Sequence, residues 1–277
     1  MKLVLLGTAG GPRPSVHRAA PAQAIVHRDQ VHVVDCGNGV ARQMAAAGLR
    51  LDKLAGIYIT HHHADHMVDV GALPLLAWTD GMTEPVGIHG PAGITASVGH
   101  FVEMMRIELE SRTSTTGRAA FPSLLHCRDL TGPGVVHESD GLRVTATLVD
   151  HPPFEHALAY RFDGDGRSVV ISGDTRYSPK LAELATGADV LVHEAIYEEA
   201  LAEQLRGARA ATLREHLVSC HTTAQDAGRL AKEAGVRTLV LSHLVPHHPT
   251  VTEEMWRDAA ASQFDGEIII GRDLLDI

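Results

Sequence analysis

The stretch YITHHHADH, residues 58–66, places four histidines and one aspartate within six positions, directly after a short apolar run. Imidazole and carboxylate groups are side chains that zinc and other borderline cations accept as ligands. The stretch therefore predicts a metal site at the end of a strand. A solvent-exposed, histidine-rich turn is the alternative interpretation, and the remaining sequence has to decide between the two.

The spacing inside this stretch separates its histidines. Side chains of an extended segment point alternately to opposite faces, so His61 and His63 are predicted to face one side and His62 the other. Asp65 and His66 follow where the chain turns into a helix, and they can bind a second cation about 3.5–4 Å from the first. The pattern thus predicts ligands for two metal ions and a non-ligand role for His62.

Further residues of the same chemical types share one placement, because each comes at the end of an apolar, strand-like run. They are His151 after VTATLVD, Asp174 after SVVISG, His193 and Glu194 after ADVLV, and His243 after RTLVLS. Strand ends in a packed α/β scaffold present residues from distant parts of the chain at one edge, on rigid supports. This set favours the metal site over the exposed turn, and the two oxygens of Asp174 can bridge two cations.

The composition is that of an ordinary globular protein. The 277 residues include 44% hydrophobic and 21% charged residues, and the formal net charge is −10. Proteins that bind many phosphates are expected to be basic, so the acidic charge disfavours nucleic acid as a partner. The three widely spaced cysteines indicate reduced thiols, and no apolar run approaches the ~20 residues that span a bilayer. We therefore expect a cytoplasmic protein without membrane contact.

Strand-like and helical patterns alternate along the chain, and no repeat or low-complexity tract interrupts them. We expect residues 1–277 to form one α/β domain with a mixed sheet system. The stretch SRTSTTGRAAFPS, residues 111–123, is the least regular. A lid or insertion is therefore predicted around residues 100–130.

A long amphipathic helix is predicted over GITASVGHFVEMMRIELE, residues 93–110. It carries Met104, Met105 and Ile107, which could pack against a second subunit. A homodimer is therefore one open alternative for the assembly.

The motif His61-x-His63-x-Asp65-His66 resembles the signature of the metallo-β-lactamase superfamily, and the resemblance spans nearly the whole chain. The resemblance implies an αββα sandwich, in which two mixed β-sheets pack face to face with helices outside. His151, Asp174 in SGDT and His243 in LSH match the remaining ligand positions of the family in order. By resemblance, His61, His63 and His151 bind one metal, Asp65, His66 and His243 bind the other, and Asp174 bridges them.

Within the superfamily, the chain resembles the branch of ribonuclease Z and its arylsulfatase-like and phosphodiesterase-like relatives. The resemblance rests on LLGTAGGPRP near the start, GDTR at the bridging aspartate, HEA at residues 193–195 and HTT at residues 221–223. In that branch, the glutamate of HEA pairs with a histidine that assists the leaving group. The resemblance implies that Glu194 orients His221 and increases the imidazolium fraction that can donate a proton.

Two departures from that branch concern an RNA substrate. Ribonuclease Z usually carries a Gly/Pro-rich arm that grips tRNA, whereas HALAYRFDGDGRSVVISGD joins the His151 region directly to Asp174. The segment HRAAPAQA lacks the serines that usually follow its arginine. Together with the acidic charge, these departures rank tRNA 3′-processing below hydrolysis of a small molecule.

These inferences predict a dinuclear zinc hydrolase. Two Zn²⁺ ions, for which Mn²⁺ or Fe²⁺ can substitute, would share a hydroxide that attacks a small phosphodiester or sulfate ester. Asp65 is predicted to accept a proton, and His221 with Glu194 to protonate the leaving group. A zinc-dependent ester, lactone or amide hydrolase is the first alternative. An iron-dependent dioxygenase and a non-catalytic binding module on the same fold stay open below it.

Other polar residues have weaker assignments. His193 is predicted to have a structural role, and pocket lining and strand structure both stay open for His156. His247 and His248 lie in VPHHPT, which is interpreted as an exposed loop with substrate contact as the alternative. Cys220 is expected to be a small buried thiol rather than a nucleophile.

Overall fold

Two mixed β-sheets pack face to face and carry helices on their outer faces, which confirms the predicted αββα sandwich. The computed structural model describes residues 1–201, 205, 210–248 and 250–277 of the chain. Within these residues each sheet has seven strands. None of the described helices is both long enough and apolar enough to cross a bilayer.

The strands alternate with helices along the chain. In order, the strands are β1 (Lys2–Gly7), β2 (Ala22–His27), β3 (Gln30–Val34), β4 (Leu54–Tyr58), β5 (Val86–Pro91), β6 (Leu125–Leu130), β7 (Gly134–Ser139), β8 (Leu142–His151), β9 (Phe154–Gly164), β10 (Arg167–Ile171), β11 (Val190–Ile196), β12 (Thr238–Val245), β13 (Glu267–Ile270) and β14 (Leu275–Asp276). The first sheet has the order β14-β1-β2-β3-β4-β5-β6, and the second has the order β13-β12-β11-β10-β9-β8-β7.

The helices cover the outer faces of the sheets. They are α1 (Val40–Ala46), α2 (Ala64–Met67), α3 (Ala72–Thr79), α4 (Ile94–Met104), α5 (Arg106–Thr116), α6 (Pro179–Leu184), α7 (Ala210–Cys220), α8 (Ala224–Ala234) and α9 (Glu253–Ala261), with short 3₁₀ turns at Leu51–Lys53, Phe121–Leu124 and Glu198–Ala200. The hydroxyls of Thr223 and Thr252 accept hydrogen bonds from the first turns of α8 and α9. These caps satisfy donors that would otherwise be unpaired.

Each sheet is antiparallel in one half and parallel in the other. In the first sheet, the successive neighbours from β14 through β1 and β2 to β3 pair antiparallel. The successive neighbours from β3 through β4 and β5 to β6 pair parallel. In the second sheet, β7 to β10 pair antiparallel and β10 to β13 pair parallel. The parallel halves direct several strand ends of each sheet to the same edge, where the predicted ligands follow.

Aromatic side chains from both sheets pack within the largely aliphatic layer between them. Tyr58 of β4 meets Tyr160 and Phe162 of β9 edge to face, with ring centroids 5.5 Å and 5.2 Å apart. Aromatic pairs of this geometry contribute about 0.5–1.5 kcal/mol beyond the burial of their area. The Tyr160 hydroxyl donates to the carbonyl oxygen of Ile59 at 2.8 Å, so this buried phenol also fixes the backbone just before the histidine motif.

The outer faces have their own cores. Met44, Leu73 and Trp78 pack from the helices onto the first sheet. Leu230 and Trp256 do the same on the second sheet. The sheets therefore bury apolar surface on both faces, and central parallel strands such as β4 and β12 are accordingly largely apolar.

The predicted helix over residues 93–110 is two helices, because the chain breaks at Met105 between α4 and α5. The break lets Val98 of α4 and Leu109 of α5 reach the same core. It leaves Met104 and Ile107 70% and 78% exposed, and the homodimer stays a prediction.

The stretch expected to be irregular, residues 111–123, is partly helical. Its first half continues α5 as far as Thr116, and the 3₁₀ turn Phe121–Leu124 follows. The edge strand β6 also lies inside the range 100–130. Part of the range that was predicted as a lid or insertion is thus built into the first sheet.

Gly228 lies where α8 and α9 approach each other closely. A Cβ there would lie 2.3 Å from the carbonyl oxygen of Ala260, so one helix would have to move. We expect Gly228→Ala to lower the free energy of unfolding by about 1–3 kcal/mol in urea denaturation. Gly99→Ala is the matched control, because a Cβ on this exposed helical residue meets nothing within 4 Å. That control should gain about 0.5–1 kcal/mol, and equal effects would contradict the close helix contact.

Candidate metal centre

The structure brings all seven predicted metal ligands together at one edge of the sandwich. They come from the loop after β4, from α2, and from the ends of strands in the second sheet: His61, His63, Asp65, His66, His151, Asp174 and His243. Potential ligand atoms of His61, His63, His151 and Asp174 lie within 4.8 Å of one another, and so do those of Asp65, His66 and His243. These two groups have the composition that the resemblance implied.

Three imidazole nitrogens converge in the first group. The Nδ1 atom of His63 lies 2.9 Å from Nε2 of His61 and 3.2 Å from Nε2 of His151. Zinc binds imidazole nitrogen at about 2.0–2.1 Å in a tetrahedron, so neighbouring ligand atoms of one ion lie about 3.3 Å apart. The three nitrogens therefore fit one small cation that keeps a further coordination position.

Hydrogen bonds at the opposite ring nitrogens direct the lone pairs of these rings. His151 Nδ1 lies 3.0 Å from the carbonyl oxygen of Cys220, which can only accept, so Nε2 keeps its lone pair. His61 Nδ1 lies 3.0 Å from the hydroxyl of Thr60, and that hydroxyl donates its own hydrogen to Asp35 at 2.9 Å. His61 Nδ1 therefore donates to Thr60. Such outer contacts fix the tautomer that a metal ligand needs.

Asp174 lies between the two groups. Its Oδ2 atom is 3.4 Å from Nε2 of His66, 3.4 Å from Nε2 of His243 and 3.7 Å from Nε2 of His61. The Oδ2 atom of Asp65 lies 3.5 Å from Nε2 of both His66 and His243. A carboxylate placed in this way can contact a cation from each group.

An irregularity in β12 aims His243 at the centre. Glu194 pairs with Ser242 and Ala195 pairs with Leu244, so His243 is an extra residue on β12. Its φ of 46° lies in the left-handed region. A bulge re-aims a side chain, and a non-glycine residue in this region costs about 1–3 kcal/mol. Contacts around His243 must offset that cost. We therefore attribute the bulge to the placement of this side chain at the site and not to the pairing of the sheet.

Burial and charge set the protonation of the histidines. Burial lowers the pKa of His61 well below its ordinary value, lowers that of His63 to about 4, and lowers that of His151. Neutral imidazole is the form that binds a cation. Burial also acts to lower the pKa of His66, but Asp174 and Asp35 outweigh it and raise that pKa well above its ordinary value. A cation beside Asp174 would replace the positive charge of this imidazolium.

Asp35 is a functional residue that the sequence reasoning missed. Its carboxylate accepts from the N–H of Thr60 at 2.8 Å, from the hydroxyl of Thr60 at 2.9 Å and from Nδ1 of His66 at 2.7 Å. It therefore supports His66 directly and His61 through Thr60. Asp35 directly follows the apolar strand β3, and this placement, shared with the predicted ligands, is the signal that could have identified it.

Glu194 and His221 form a buried pair beside the centre. The Oε1 atom of Glu194 accepts from Nδ1 of His221 at 2.9 Å and from the N–H groups of Thr175 and Thr222 at 3.0 Å and 3.3 Å. The rings of His221 and His243 stack with centroids 5.8 Å apart. Burial acts to lower the pKa of His221, but the Glu194 carboxylate outweighs it and holds that pKa well above its ordinary value. The pair therefore favours the protonated form of an imidazole next to the metal ligands.

Other histidines of the sequence analysis lie outside the two groups. His62 Nε2 lies 2.9 Å from the carbonyl oxygen of Ala92, which holds this ring against the neighbouring loop. His193 is buried, and its Nδ1 lies 2.7 Å from the carbonyl oxygen of Glu194. His156 is half-buried within β9.

The loop after β12 and the cysteine of α7 border the centre. His247 is half-buried and His248 is exposed, whereas residue 249 of the same loop lies outside the described residues. Cys220 is fully buried, and its sulfur lies within 4.8 Å of ligand atoms of His151 and His221.

Asp35→Asn tests the support behind the ligands. An asparagine of the same shape loses one acceptor, so the rings of His61 and His66 are held less firmly. We expect metal affinity to fall roughly 10–100-fold in competition with a chromophoric chelator. Asp163→Asn is the matched control, since Asp163 pairs with Arg161 near the far end of β9. Wild-type affinity in the Asp35 variant would remove the assigned role.

Comparison with known proteins identifies the family. A family model described as a beta-lactamase superfamily domain matches residues 32–244. Ribonuclease Z of Mycobacterium marinum is 32% identical over 279 residues, which cover 99% of this chain and 97% of that protein. Ribonuclease Z of Mycobacterium avium is 34% identical over 279 residues, which cover 99% and 96%. The similarity thus extends over nearly the full length of these relatives.

Solved structures share the fold. The metallo-beta-lactamase fold protein YhfI from Bacillus subtilis superposes with a TM-score of 0.73 at 23% identity, over 100% of this chain and 98% of that chain. The short form of human tRNase Z has a TM-score of 0.74 at 20% identity, with the same coverage. The chain therefore belongs to the metallo-β-lactamase superfamily and is a hydrolase of that superfamily.

Proposed function

We propose that this protein hydrolyses a phosphodiester bond at the metal centre. The pairing of Glu194 with His221 is the observation that carries the proposal. Nδ1 of His221 lies 2.9 Å from Oε1 of Glu194 and 3.9 Å from Oδ2 of Asp174. The alkoxide leaving group of a phosphodiester needs a proton. A positioned acid accelerates such a reaction roughly 10²–10⁴-fold. A proton donor beside the ligand cluster suits this reaction.

The two ligand groups are proposed to hold two divalent cations. His61, His63 and His151 would hold one, Asp65, His66 and His243 the other, with Asp174 shared between them. A donor set of imidazoles and carboxylates fits zinc, with Mn²⁺ or Fe²⁺ as substitutes. Divalent cations bound there lower the pKa of bound water and polarise a phosphoryl oxygen.

The side chains around the cations are proposed to move two protons. Burial acts to raise the pKa of Asp65, but His243 and His66 outweigh it and lower that pKa, so an ionised carboxylate is ready to accept the proton of the attacking water. The Nε2 atom of His221 donates to the leaving oxygen, since Nδ1 is bonded to Glu194. Glu194 stabilises the imidazolium before the transfer and orients the neutral ring after it.

A cleft beside the centre favours an anionic substrate. It has a volume of about 300 Å³ and is lined by the loop after β1, including Arg13 and Arg18, and by Asp65 of the second ligand group. Arg13 is exposed, whereas Arg18 is partly buried and donates to the carbonyl oxygen of Gly271 at 2.6 Å. The exposed guanidinium of Arg13 can meet a phosphate there, whereas that of Arg18 also donates to the Thr8 hydroxyl at 2.6 Å and helps to hold the loop.

RNA is the first proposed substrate, in place of the small molecule expected from the sequence. Relatives 32% and 34% identical over nearly their whole length are named ribonuclease Z, which counts against the expectation that nucleic acid is disfavoured. A net charge of −10 is a weak argument against RNA, because the local field of a cleft rather than the total charge meets the substrate. Precursor tRNA, which the resemblance to ribonuclease Z implies, is the specific candidate.

A small phosphodiester is the second candidate, favoured by the chain between His151 and Asp174. Strand β9 ends at Gly164, and this residue pairs directly with Arg167 at the start of β10. No arm for gripping tRNA leaves this hairpin. A sulfate ester, or an ester, lactone or amide, would bind the same cations but place a different demand on the proton donor. An iron-dependent dioxygenase ranks below these, because its single iron needs fewer ligands than the two groups offer.

Two phosphodiesters separate the proposed substrates. Zinc-loaded protein is expected to cleave a precursor tRNA with a 3′ trailer at a higher kcat/KM than bis(p-nitrophenyl) phosphate, as measured on gels and by absorbance. Cleavage of the small diester alone would select the second candidate. Activity on an aryl ester or a lactone without activity on either phosphodiester would defeat the proposal.

His221→Ala tests the proton donor. We expect kcat on RNA to fall by roughly 10²–10⁴-fold, because the ribose oxygen needs a proton to leave. The p-nitrophenolate ion leaves without one, so hydrolysis of bis(p-nitrophenyl) phosphate should fall much less, at unchanged metal content. His216→Ala, at an exposed position of α7, is the control and should behave as wild type. Equal losses on both substrates would remove the assigned role of His221.

A further inference from the structure

A small polar cavity lies between the two sheets, directly behind the metal centre. Its volume is about 20 Å³, and its lining includes Gln23 of β2, Asp174, Glu194 of β11, and Ser242 and His243 of β12. A polar cavity larger than about 10–15 Å³ accommodates one water molecule when two to four polar groups can bind it. The size and lining of this cavity therefore suit a single water.

Six polar atoms of this lining are buried and have no hydrogen-bond partner among the described residues. Two of them, Nε2 of His66 and Oδ1 of Asp174, belong to the proposed metal ligands. The other four are Oε1 of Gln23, Oε2 of Glu194, Oγ of Ser242 and Nδ1 of His243. A buried polar group left unpaired costs about 1–3 kcal/mol. Since native proteins pair nearly all such groups, four of them around one cavity point to a common partner.

The four atoms divide into two acceptors and two donors. The amide oxygen of Gln23 and the carboxylate oxygen of Glu194 only accept. The hydroxyl of Ser242 can donate. Nδ1 of His243 donates when Nε2 keeps its lone pair for a cation, and Nε2 here accepts from the N–H of Gly11 at 3.4 Å. One water molecule has two hydrogens and two lone pairs. It can therefore satisfy all four atoms at once.

The strand register explains why these groups meet. Glu194 and Ser242 are paired residues of β11 and β12, and paired residues project from the same face of a sheet. His243 follows as the extra residue of the bulge, and Gln23 reaches the cavity from β2 of the facing sheet. Both sheets thus contribute to one small polar site.

We propose that this cavity binds one structural water, which hydrogen-bonds to Gln23, Glu194, Ser242 and His243. The water gives His243 an outer partner for its second ring nitrogen. His61, His66 and His151 obtain the equivalent partner from Thr60, Asp35 and the carbonyl oxygen of Cys220. Outer partners of this kind orient a metal-binding imidazole and increase its basicity.

The same water connects the metal ligand to the proton donor. Glu194 uses Oε1 to hold His221, and its Oε2 faces no other described partner. A water bound to Oε2 fixes the carboxylate from the opposite side. Gln23 and Ser242 are then positioning residues, which act through the water and touch neither substrate nor metal.

The inference rests on the proposed role of His243 as a metal ligand. The water itself can be observed whether or not the protein hydrolyses a phosphodiester. A failed activity assay therefore contradicts the proposed function alone, and a missing water contradicts this inference alone.

A crystal structure of the wild-type, metal-loaded protein tests the water directly. We expect one density peak within about 2.6–3.2 Å of the four atoms. An empty cavity, or a peak at the shorter distances of a bound cation, would overturn the proposal. This test does not depend on the folding of any variant.

Gln23→Met and Ser242→Ala test the effect of the water on the metal. Each removes one partner of the water, so we expect the affinity for the cation of the second ligand group, which His243 would help to hold, to fall roughly 10-fold in a stepwise titration against a chelator. The cation of the first ligand group should change less. Ser178→Ala is the matched control. The hydroxyl of this buried serine also lacks a partner among the described residues, but it lies outside the cavity. Variants that bind both cations as the control does would count against the proposal.

Discussion

The buried carboxylate of Asp174 is the charge on which the arrangement of the site depends. Removing an ionised carboxylate from water costs on the order of several kcal/mol, unless nearby positive charge and hydrogen bonds compensate for it. Burial acts to raise the pKa of Asp174, but His243 and His66 outweigh it and hold that pKa well below its ordinary value. Imidazoles from both ligand groups therefore have to gather around this one side chain. Because Oδ2 of Asp174 lies within 3.7 Å of ring nitrogens from both groups, a change at this residue would affect both groups.

The groups that compensate Asp174 come from both sheets, so the packing between the sheets controls the site. The histidine motif follows β4 of the first sheet, and His151 and His243 belong to β8 and β12 of the second. The layer that joins the sheets includes Tyr160. Its hydroxyl donates a hydrogen bond to the carbonyl oxygen of Ile59, two residues before the motif begins at His61. Since interiors pack densely and transmit strain, a change in this layer would displace ligands of one sheet relative to the other. Stability and metal binding are coupled through it.

The strand ends that carry the candidate ligands could be predicted from the sequence, because that signal is local, whereas the edge strand β6 lies in a range that was predicted as a lid or insertion. An apolar run followed by a histidine or aspartate identifies a strand end without knowledge of its neighbours. The bulge at His243 depends on the register between β11 and β12, which no local pattern specifies. The support from Asp35 depends on contacts with residues 25 and 31 positions away in the chain. The break at Met105 depends on the core that α4 and α5 share, so tertiary packing decided it.

The buried part of the site does not discriminate between RNA and a small phosphodiester, since the reacting group is the same in both. Discrimination has to come from what holds the rest of the substrate. The hairpin between β9 and β10 turns too tightly to carry an arm, so it offers no remote contact for tRNA. The loop that carries Arg13 and Arg18 lines the cleft beside Asp65 and brings basic side chains next to the centre. An RNA substrate would therefore have to be held close to the scissile bond, where a few phosphate contacts act within the short range that salt leaves unscreened.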